Sequence, residues 1–285
     1  ERDPSEGWEP VSDRKIRVGL IGYGMSTFSA GFGFQNHPNV EIAAVSDLFP
    51  DRCAKLAERT GCKKTYPSGE ELMKDETIEA VFVATDPPSH ASLAMLALKH
   101  GKHVASAVPA VWGSLEEAEM LFEAVKRSGL NYMMFETSCF RANNYAMRQI
   151  YNAGGFGKIV YAEGEYWHYT DHAYSSYNGW RIGSPPQWYP THSDAYYVGV
   201  TNGSFTEVSC IGVPSVMERY QNNKFNNPFG TEISFYRTSE GGSARMARCS
   251  VTPGHGAENG RVRGTRGSFY DKYEGLEKNL PDLNR

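Results

Sequence analysis

At 285 residues the chain has room for two domains, and its 40% hydrophobic and 22% charged residues are the make-up of an ordered globular protein. A net charge of −4 with no basic run argues against nucleic acid or an anionic membrane as partner. No apolar run reaches the length of a membrane span. Cys53, Cys62, Cys139, Cys210 and Cys249 show no paired spacing, the pattern of reduced thiols rather than of a disulfide or zinc framework.

Residues 1–14 are polar, with Pro4 and Pro10, and are expected as an N-terminal arm. Ile16 to Ile21 is a short apolar run that feeds a glycine turn at Gly22 and Gly24, as a buried parallel strand entering a phosphate-binding turn would. The first glycine permits the sharp turn and the second lets the backbone approach a pyrophosphate, whose charge is expected on the N-terminus of the following helix. The third small position of the dinucleotide fingerprint is missing, since Thr27 stands there. A second strand, Glu41 to Asp47, ends in an acid placed to accept from a ribose diol and to repel a 2′-phosphate, so NAD is favoured over NADP.

Asp51 to Thr60 is predicted as a helix closed by Gly61, and Glu70 to Lys74 as a short helical piece. Ala80 to Thr85 is a strand stopped by Asp86-Pro-Pro88, followed by a helix from Ala91 to His100. Lys102 to Ala107 is the next strand. Ser114 caps a helix running to Ser128, and Leu130 to Glu136 is a sixth strand. Strand and helix alternate throughout, which predicts a doubly wound parallel sheet over residues 15–141.

The pattern changes over residues 142–285. After a helix from Asn143 to Asn152, strands are expected at Lys158–Tyr166, Phe205–Gly212, Thr231–Thr238 and Ala244–Val251, in a large open, mainly antiparallel sheet with one covered face. The aromatic-rich stretch from Trp167 to Asn202 is expected as loop, and the run from Gly254 to Gly267 as a sheet connection.

Arg17-Val-Gly-Leu-Ile-Gly-Tyr-Gly24, Asp47, Thr85-Asp-Pro-Pro-Ser-His90, Gly101-Lys-His-Val104 and Pro109 resemble the Gfo/Idh/MocA oxidoreductases. The resemblance implies an N-terminal NAD-binding domain, a C-terminal domain that carries a sugar or polyol, and homodimers or homotetramers packed through the C-terminal sheet. It also implies cofactor contacts at Gly22, Gly24, Met25, Ser26, Thr27, Asp47, Thr85, Pro87, His90, Pro109 and Glu136. Members of the family are usually longer, so a further segment is expected after Arg285.

One departure bears on mechanism. The family usually has Glu-Lys-Pro after its Gly-Lys-His-Val strand, whereas this chain has Ala107-Val108-Pro109, and valine cannot take a proton. A branch of the family, the NAD-dependent α-N-acetylgalactosaminidases, is similar in this respect. Tyr132-Met-Met-Phe-Glu136, Ala162-Glu-Gly-Glu-Tyr166-Trp-His168 and Tyr189-Pro-Thr-His192 also look like that branch's substrate and catalytic segments. The resemblance therefore implies His192, Tyr166 and Tyr189 as catalytic groups, with Glu136 on the substrate. His168, Trp180, Arg181 and Trp188 are further candidates for substrate contact, the aromatics because their faces suit sugar C–H faces.

Each residue also has a plainer reading. His192 suits proton transfer near neutral pH, or is a buried histidine held by backbone. Tyr166 and Tyr189 are base candidates or packing aromatics, and Glu136 binds substrate or ends a strand. His168, His172 and His192 lack a carboxylate or thiol at ligand spacing, so no metal is expected. Three functions remain: an NAD-dependent oxidoreductase acting on a carbohydrate or polyol, an NAD-dependent glycosidase or lyase with no net redox change, and a non-catalytic NAD and sugar sensor. A cytoplasmic site is expected, with export after loss of a leader as the alternative.

Overall fold

The computed structural model describes residues 7–24, 26–169, 177–254 and 256–280. Met25, an expected cofactor contact, lies outside them, as does His172. The chain divides into two compact units, Glu1–Phe135 and Glu136–Arg285.

In the first unit β1 (Ile16–Ile21) leads to a single helical turn, α1 (Phe28–Gly31), then β2 (Val40–Ser46) and α2 (Pro50–Thr60). Next come β3 (Thr65–Tyr66), α3 (Gly69–Met73), β4 (Ala80–Val83), α4 (Pro87–Lys99), β5 (His103–Ser106), α5 (Leu115–Ser128) and β6 (Tyr132–Met134). Every neighbouring pair is parallel, in the order β3-β2-β1-β4-β5-β6. That is the doubly wound order expected of a dinucleotide-binding sheet. Leu20, Val45 and Phe82 are buried against Leu56 on one side, while Val81 and Val83 meet Ala94, Ala97 and Leu121 on the other.

Two local expectations are corrected. Pro87 and Pro88 open α4 rather than merely stopping the strand before it, because a helix's first residues need no N–H donor. The helix after the glycine turn is only one turn long, headed by Thr27 in the left-handed region (φ 48). So short a helix has little macrodipole to offer a phosphate. Part of the expected arm is fastened: Val11 N–H donates to Asn39 Oδ1 (2.8 Å), and Asn39 Nδ2 donates to the Ser12 and Arg14 carbonyls.

The second unit holds α6 (Ala142–Asn152), β7 (Ile159–Trp167), α7 (Thr191–Thr201), β8 (Phe205–Pro214), β9 (Phe229–Thr238), β10 (Ser243–Cys249), β11 (Ala257–Gly264), β12 (Gly267–Tyr270) and β13 (Lys272–Gly275). Among the described residues its sheet has seven strands in the order β13-β12-β11-β7-β10-β9-β8. All pairs are antiparallel except β7 with β10. The Gly254–Gly267 run, expected as a connection, contains β11. Its Ala-Glu-Asn-Gly-Arg sequence lacks the β-branched content that marks strands, and it pairs along the full length of β7.

A second correction sets the site. Residues 191–201, expected as loop, form α7, whose Ala195, Tyr196, Tyr197 and Val200 are buried on the sheet. Its aromatic and β-branched residues are weak helix formers, so tertiary packing decides. The helix fits because Gly164 on β7 stands in register with Gly260 on β11. A Cβ at Gly164 would lie 2.0 Å from the Ser193 carbonyl oxygen, and one at Gly260 would lie 2.3 Å from the Tyr196 ring.

Candidate active site

Along the covered face of this sheet the rows change character in steps of two residues. Val262, Ala162, Ala244 and Tyr236 make an apolar row, and Gly260, Gly164, Met246 and Ser234 make the row that receives α7. One step further stand Glu258, Tyr166, Arg248 and Glu232, side by side on β11, β7, β10 and β9. Above this polar row α7 places His192.

His192 and Glu136 are both buried, and His192 Nδ1 lies 2.6 Å from Glu136 Oε1. Glu136 precedes a 3-10 turn, Thr137–Phe140, and the same oxygen accepts the Ser138 N–H at 2.8 Å. Ser138 gives its one hydroxyl proton to Glu258 Oε2 (2.8 Å), which also accepts from Arg141 Nε (2.8 Å). Toward His192 Nδ1, 3.4 Å away, Ser138 Oγ therefore presents a lone pair. Nδ1 carries the hydrogen, and Nε2 keeps the lone pair that can take a proton. Glu136 Oε2 is enclosed with no hydrogen-bond partner among the described residues, so one buried acceptor is available to a ligand hydroxyl.

Tyr166 and Tyr189 complete the group. Their ring centroids lie 4.6 and 5.2 Å from that of His192. Burial pushes the Tyr189 phenol above the ordinary tyrosine range, which keeps it protonated and makes it a donor rather than a base. The Arg248 guanidinium lies 4.5 Å from the Tyr166 ring and 5.9 Å from that of Tyr189. His168 stacks on Tyr166 at 5.5 Å, and partial burial followed by Arg248 and Arg181 pushes its pKa down. Asp194, on the first turn of α7, is raised to about 7 by burial and then by Glu136.

The structure thus brings Glu136, Tyr166, His168, Tyr189 and His192 together. Arg181 packs on Trp180 (4.5 Å) and acts electrostatically on Tyr189, His168 and Arg248. Trp188 instead packs edge-on against Phe225, at 5.4 Å. Ser138, Arg141, Asp194, Arg248 and Glu258 were not singled out from sequence. Arg248 carried a readable signal, since it continues the inward-facing alternation of Ala244 and Met246 with a charge. Among the described residues no cluster of His, Cys, Asp and Glu suits a metal ion.

The first unit fits a dinucleotide. Gly22 has φ +93, and a Cβ there would meet the Ala84 carbonyl at 2.6 Å, while a Cβ at Gly24 would meet nothing within 4 Å. The second glycine therefore leaves open space over the turn, where a pyrophosphate can approach backbone. Asp47 accepts from Tyr23 N–H (2.6 Å) through Oδ2 and from Phe49 N–H (2.8 Å) through Oδ1, which ties it to the turn. Each oxygen keeps a further lone pair for a ribose hydroxyl. Ser26 and Thr27 are exposed beside the turn. Thr85 Oγ1 meets Ser89 Oγ at 2.7 Å, and Pro87 is buried at the start of α4. His90 Nδ1 lies 2.8 Å from the Pro109 carbonyl oxygen and Nε2 3.2 Å from that of Thr85, and the ring, pushed toward its neutral form by burial, donates to one of them. It is a strut that holds those two segments.

Residues 16–136 match the family model described as the oxidoreductase family with NAD-binding Rossmann fold, Gfo/Idh/MocA. A glycosyl hydrolase family 109 protein of Porphyromonas gingivalis is 30% identical over 59% of this chain and 38% of its own length. Glycosyl hydrolase family 109 protein 1 of Phocaeicola vulgatus is 26% identical over 90% of this chain and 60% of its own. The chain thus spans only part of the length of these curated relatives. The fold is shared with scyllo-inositol dehydrogenase from Lactobacillus casei (TM-score 0.75, 15% identity, 91% of this chain and 75% of that one). It is shared too with a probable dehydrogenase from Thermotoga maritima (TM-score 0.74, 19% identity, 93% and 77%). Residues 16–136 of this chain are an NAD-binding Rossmann domain of the Gfo/Idh/MocA oxidoreductase family.

Proposed function

We propose that the chain is an NAD-dependent oxidoreductase acting on a carbohydrate or polyol, with His192 as its principal proton-transfer group. One observation carries this reading: a buried histidine whose Nδ1 is engaged by a buried carboxylate at 2.6 Å, beside two tyrosine rings. A carboxylate on Nδ1 orients the imidazole and stabilises the cation formed when Nε2 takes a proton. NAD, when bound, supplies hydride acceptance. Gly22, Gly24 and Asp47 would hold it, with Thr85 and Pro109 in the segments fixed by His90. His192 Nε2 takes the hydroxyl proton of the carbon being oxidised, and the Glu136 carboxylate faces the imidazolium that results. Tyr189, kept protonated by burial, donates a hydrogen bond to a developing oxyanion.

A specific observation favours a second reading, redox-neutral glycoside cleavage by oxidation, elimination, addition of water and reduction. Val108, where the family usually has a proton-handling lysine, is a buried apolar side chain. Elimination needs a second acid–base group for the proton beside the new ketone, and the Tyr166 ring, 4.6 Å from that of His192, supports its taking that role. The names of the glycosyl hydrolase family 109 relatives support this alternative. Glycosides and free sugars, screened with cofactor absorbance and product release recorded together, separate the two readings. Reduced cofactor in proportion to product means net oxidation, and product without accumulated reduced cofactor means cleavage. A reaction with no reduced cofactor at any stage sinks both.

The same reading extends to assembly and place. Val208, Ile211 and Val213 on the edge strand β8, with Phe235 on β9, are exposed, which supports association of copies through this sheet as a homodimer or homotetramer. Light scattering that finds a monomer at micromolar concentration would reject it. Among the described residues no helix is long and apolar enough to cross a membrane. All five cysteines are free thiols, which supports a reducing, cytoplasmic setting.

A further inference from the structure

The row that carries Tyr166 also carries a cation, Arg248, which has no ion pair among the described residues, with the Glu232 carboxylate across from it in register and within electrostatic reach. Arg248 Nε is enclosed and has no hydrogen-bond partner among the described residues, and Nη1 donates to the Cys249 carbonyl at 3.0 Å. No carboxylate among the described residues lies within ion-pair distance of the guanidinium, which rests instead on the faces of Tyr166 and Tyr189. The neighbouring acids are engaged elsewhere. Glu258 accepts from Arg141 and Ser138, and Glu232 Oε2 accepts the Gln187 N–H at 2.7 Å.

A half-buried charge without an ion pair is costly, and a fold that needed only packing at this position would place an apolar side chain there. Arg181 stands within electrostatic reach of the same guanidinium, so two cations share the region, and both push His168 toward its neutral form. Burial lowers the Arg248 pKa, with Tyr166 and Tyr220 acting against it and Arg181 adding to it. Such an arrangement is relieved when an anion arrives, and a guanidinium fork fits planar or tetrahedral oxyanions through two parallel hydrogen bonds.

We propose that the substrate of this site carries an oxyanion, a carboxylate or a phosphate on the sugar, and that Arg248 receives it with Arg181 in support. The inference rests on the carbohydrate reading above and narrows it to acidic sugars. It also assigns a reason for the row: Tyr166 lies beside Arg248 in register, so the anion and the reacting carbons are held at fixed spacing.

Calorimetry on the NAD-loaded chain tests it. The ligands are methyl glucuronoside and methyl galacturonoside, glucose 6-phosphate, the uncharged methyl glycosides and inorganic phosphate alone. One acidic class should bind about 10-fold or more tightly than its neutral counterpart, and which class does so distinguishes carboxylate from phosphate. Arg248→Gln should weaken the acidic ligand by about 10- to 100-fold, the size of a lost charge-assisted hydrogen bond, and the neutral one by less than about 3-fold. Arg248→Lys should fall between, since it keeps charge without the fork. Without ligand, the thermal midpoint of Arg248→Gln should stay level or rise, which a merely structural role would not allow. Equal binding of neutral and acidic sugars, or an equal loss for both in Arg248→Gln, overturns the inference and leaves the carbohydrate reading standing. Binding of inorganic phosphate without any sugar anion overturns it as well. Failure of every sugar to bind overturns the carbohydrate reading and this inference together.

Discussion

Gly164 stands directly across from Gly260 on adjacent strands, and the pair of missing side chains is what lets α7 lie on the sheet. The helix then sets His192 over Tyr166. Gly164→Ala would bring a methyl group to 2.0 Å from the Ser193 carbonyl, a backbone atom that cannot swing aside. The expected outcome is a loss of about 2 kcal/mol or more, in the range of overpacking, with activity falling further than stability because α7 is displaced. Thermal or urea unfolding alongside rate measurements checks this, and an unchanged midpoint would refute the close packing.

Glu136 and His192 should fail as a unit. Glu136→Gln keeps the shape but replaces the carboxylate that faces Nδ1, and His192→Ala removes the proposed base. Each should lower the rate by about 10²-fold or more, the usual size of a general acid–base contribution, and the double variant should fall by much less than the product. Independent, multiplying losses would show that the two do not act together.

Asp194 should give stability a pH slope of unusual sign. Its folded pKa, about 7, lies above the unfolded carboxylate value of about 3.9. The folded state therefore holds a proton that the unfolded state has released, and stability contributed by this group declines as pH rises from about 4 to about 7. Asp194→Asn should remove that slope, worth a few kcal/mol at most, and narrow the gap between midpoints measured at acid and alkaline pH. An unaltered gap would contradict the burial of this carboxyl.

Asp47 is tied to the glycine turn, and we propose that it also accepts from a ribose hydroxyl. Asp47→Ala removes the acceptor of the Tyr23 N–H together with a ribose contact, so NAD should lose about 10-fold or more in affinity and NADP less. Calorimetry on protein stripped of copurified cofactor decides, and equal losses for both cofactors would reject the ribose assignment.

Most of the first unit was legible because its signals are local. A buried run such as Ile16–Ile21, a glycine turn and a terminal Asp47 each declare themselves within a few residues. The second unit was legible as strands but not as a site. Residues 191–201 read as loop because their helix is stabilised by a groove whose two glycines lie far away in sequence. Glu258 was hidden for a related reason, and Arg248 showed only a charge in an inward-facing alternation. They reach Tyr166 only through the register of β11 and β10 with β7, and register is a property of the assembled sheet. His192 and Tyr166 were found through family resemblance, and the proton network around them through structure.

Rapid mixing of the NAD-loaded chain with its sugar substrate in deuterated water, following nicotinamide absorbance and the product's label, addresses the central claim most directly. The account predicts reduced nicotinamide on the first turnover in the native chain, slowed by about 10²-fold or more in His192→Ala and Tyr166→Phe. Restoring Val108→Lys should not raise it. Solvent deuterium on the carbon beside the oxidised one, with the reduced form then disappearing, selects cleavage, and its absence with stoichiometric reduced cofactor selects net oxidation. Product formed with no reduced nicotinamide on any turnover, or at an undiminished rate in both variants, would contradict the account.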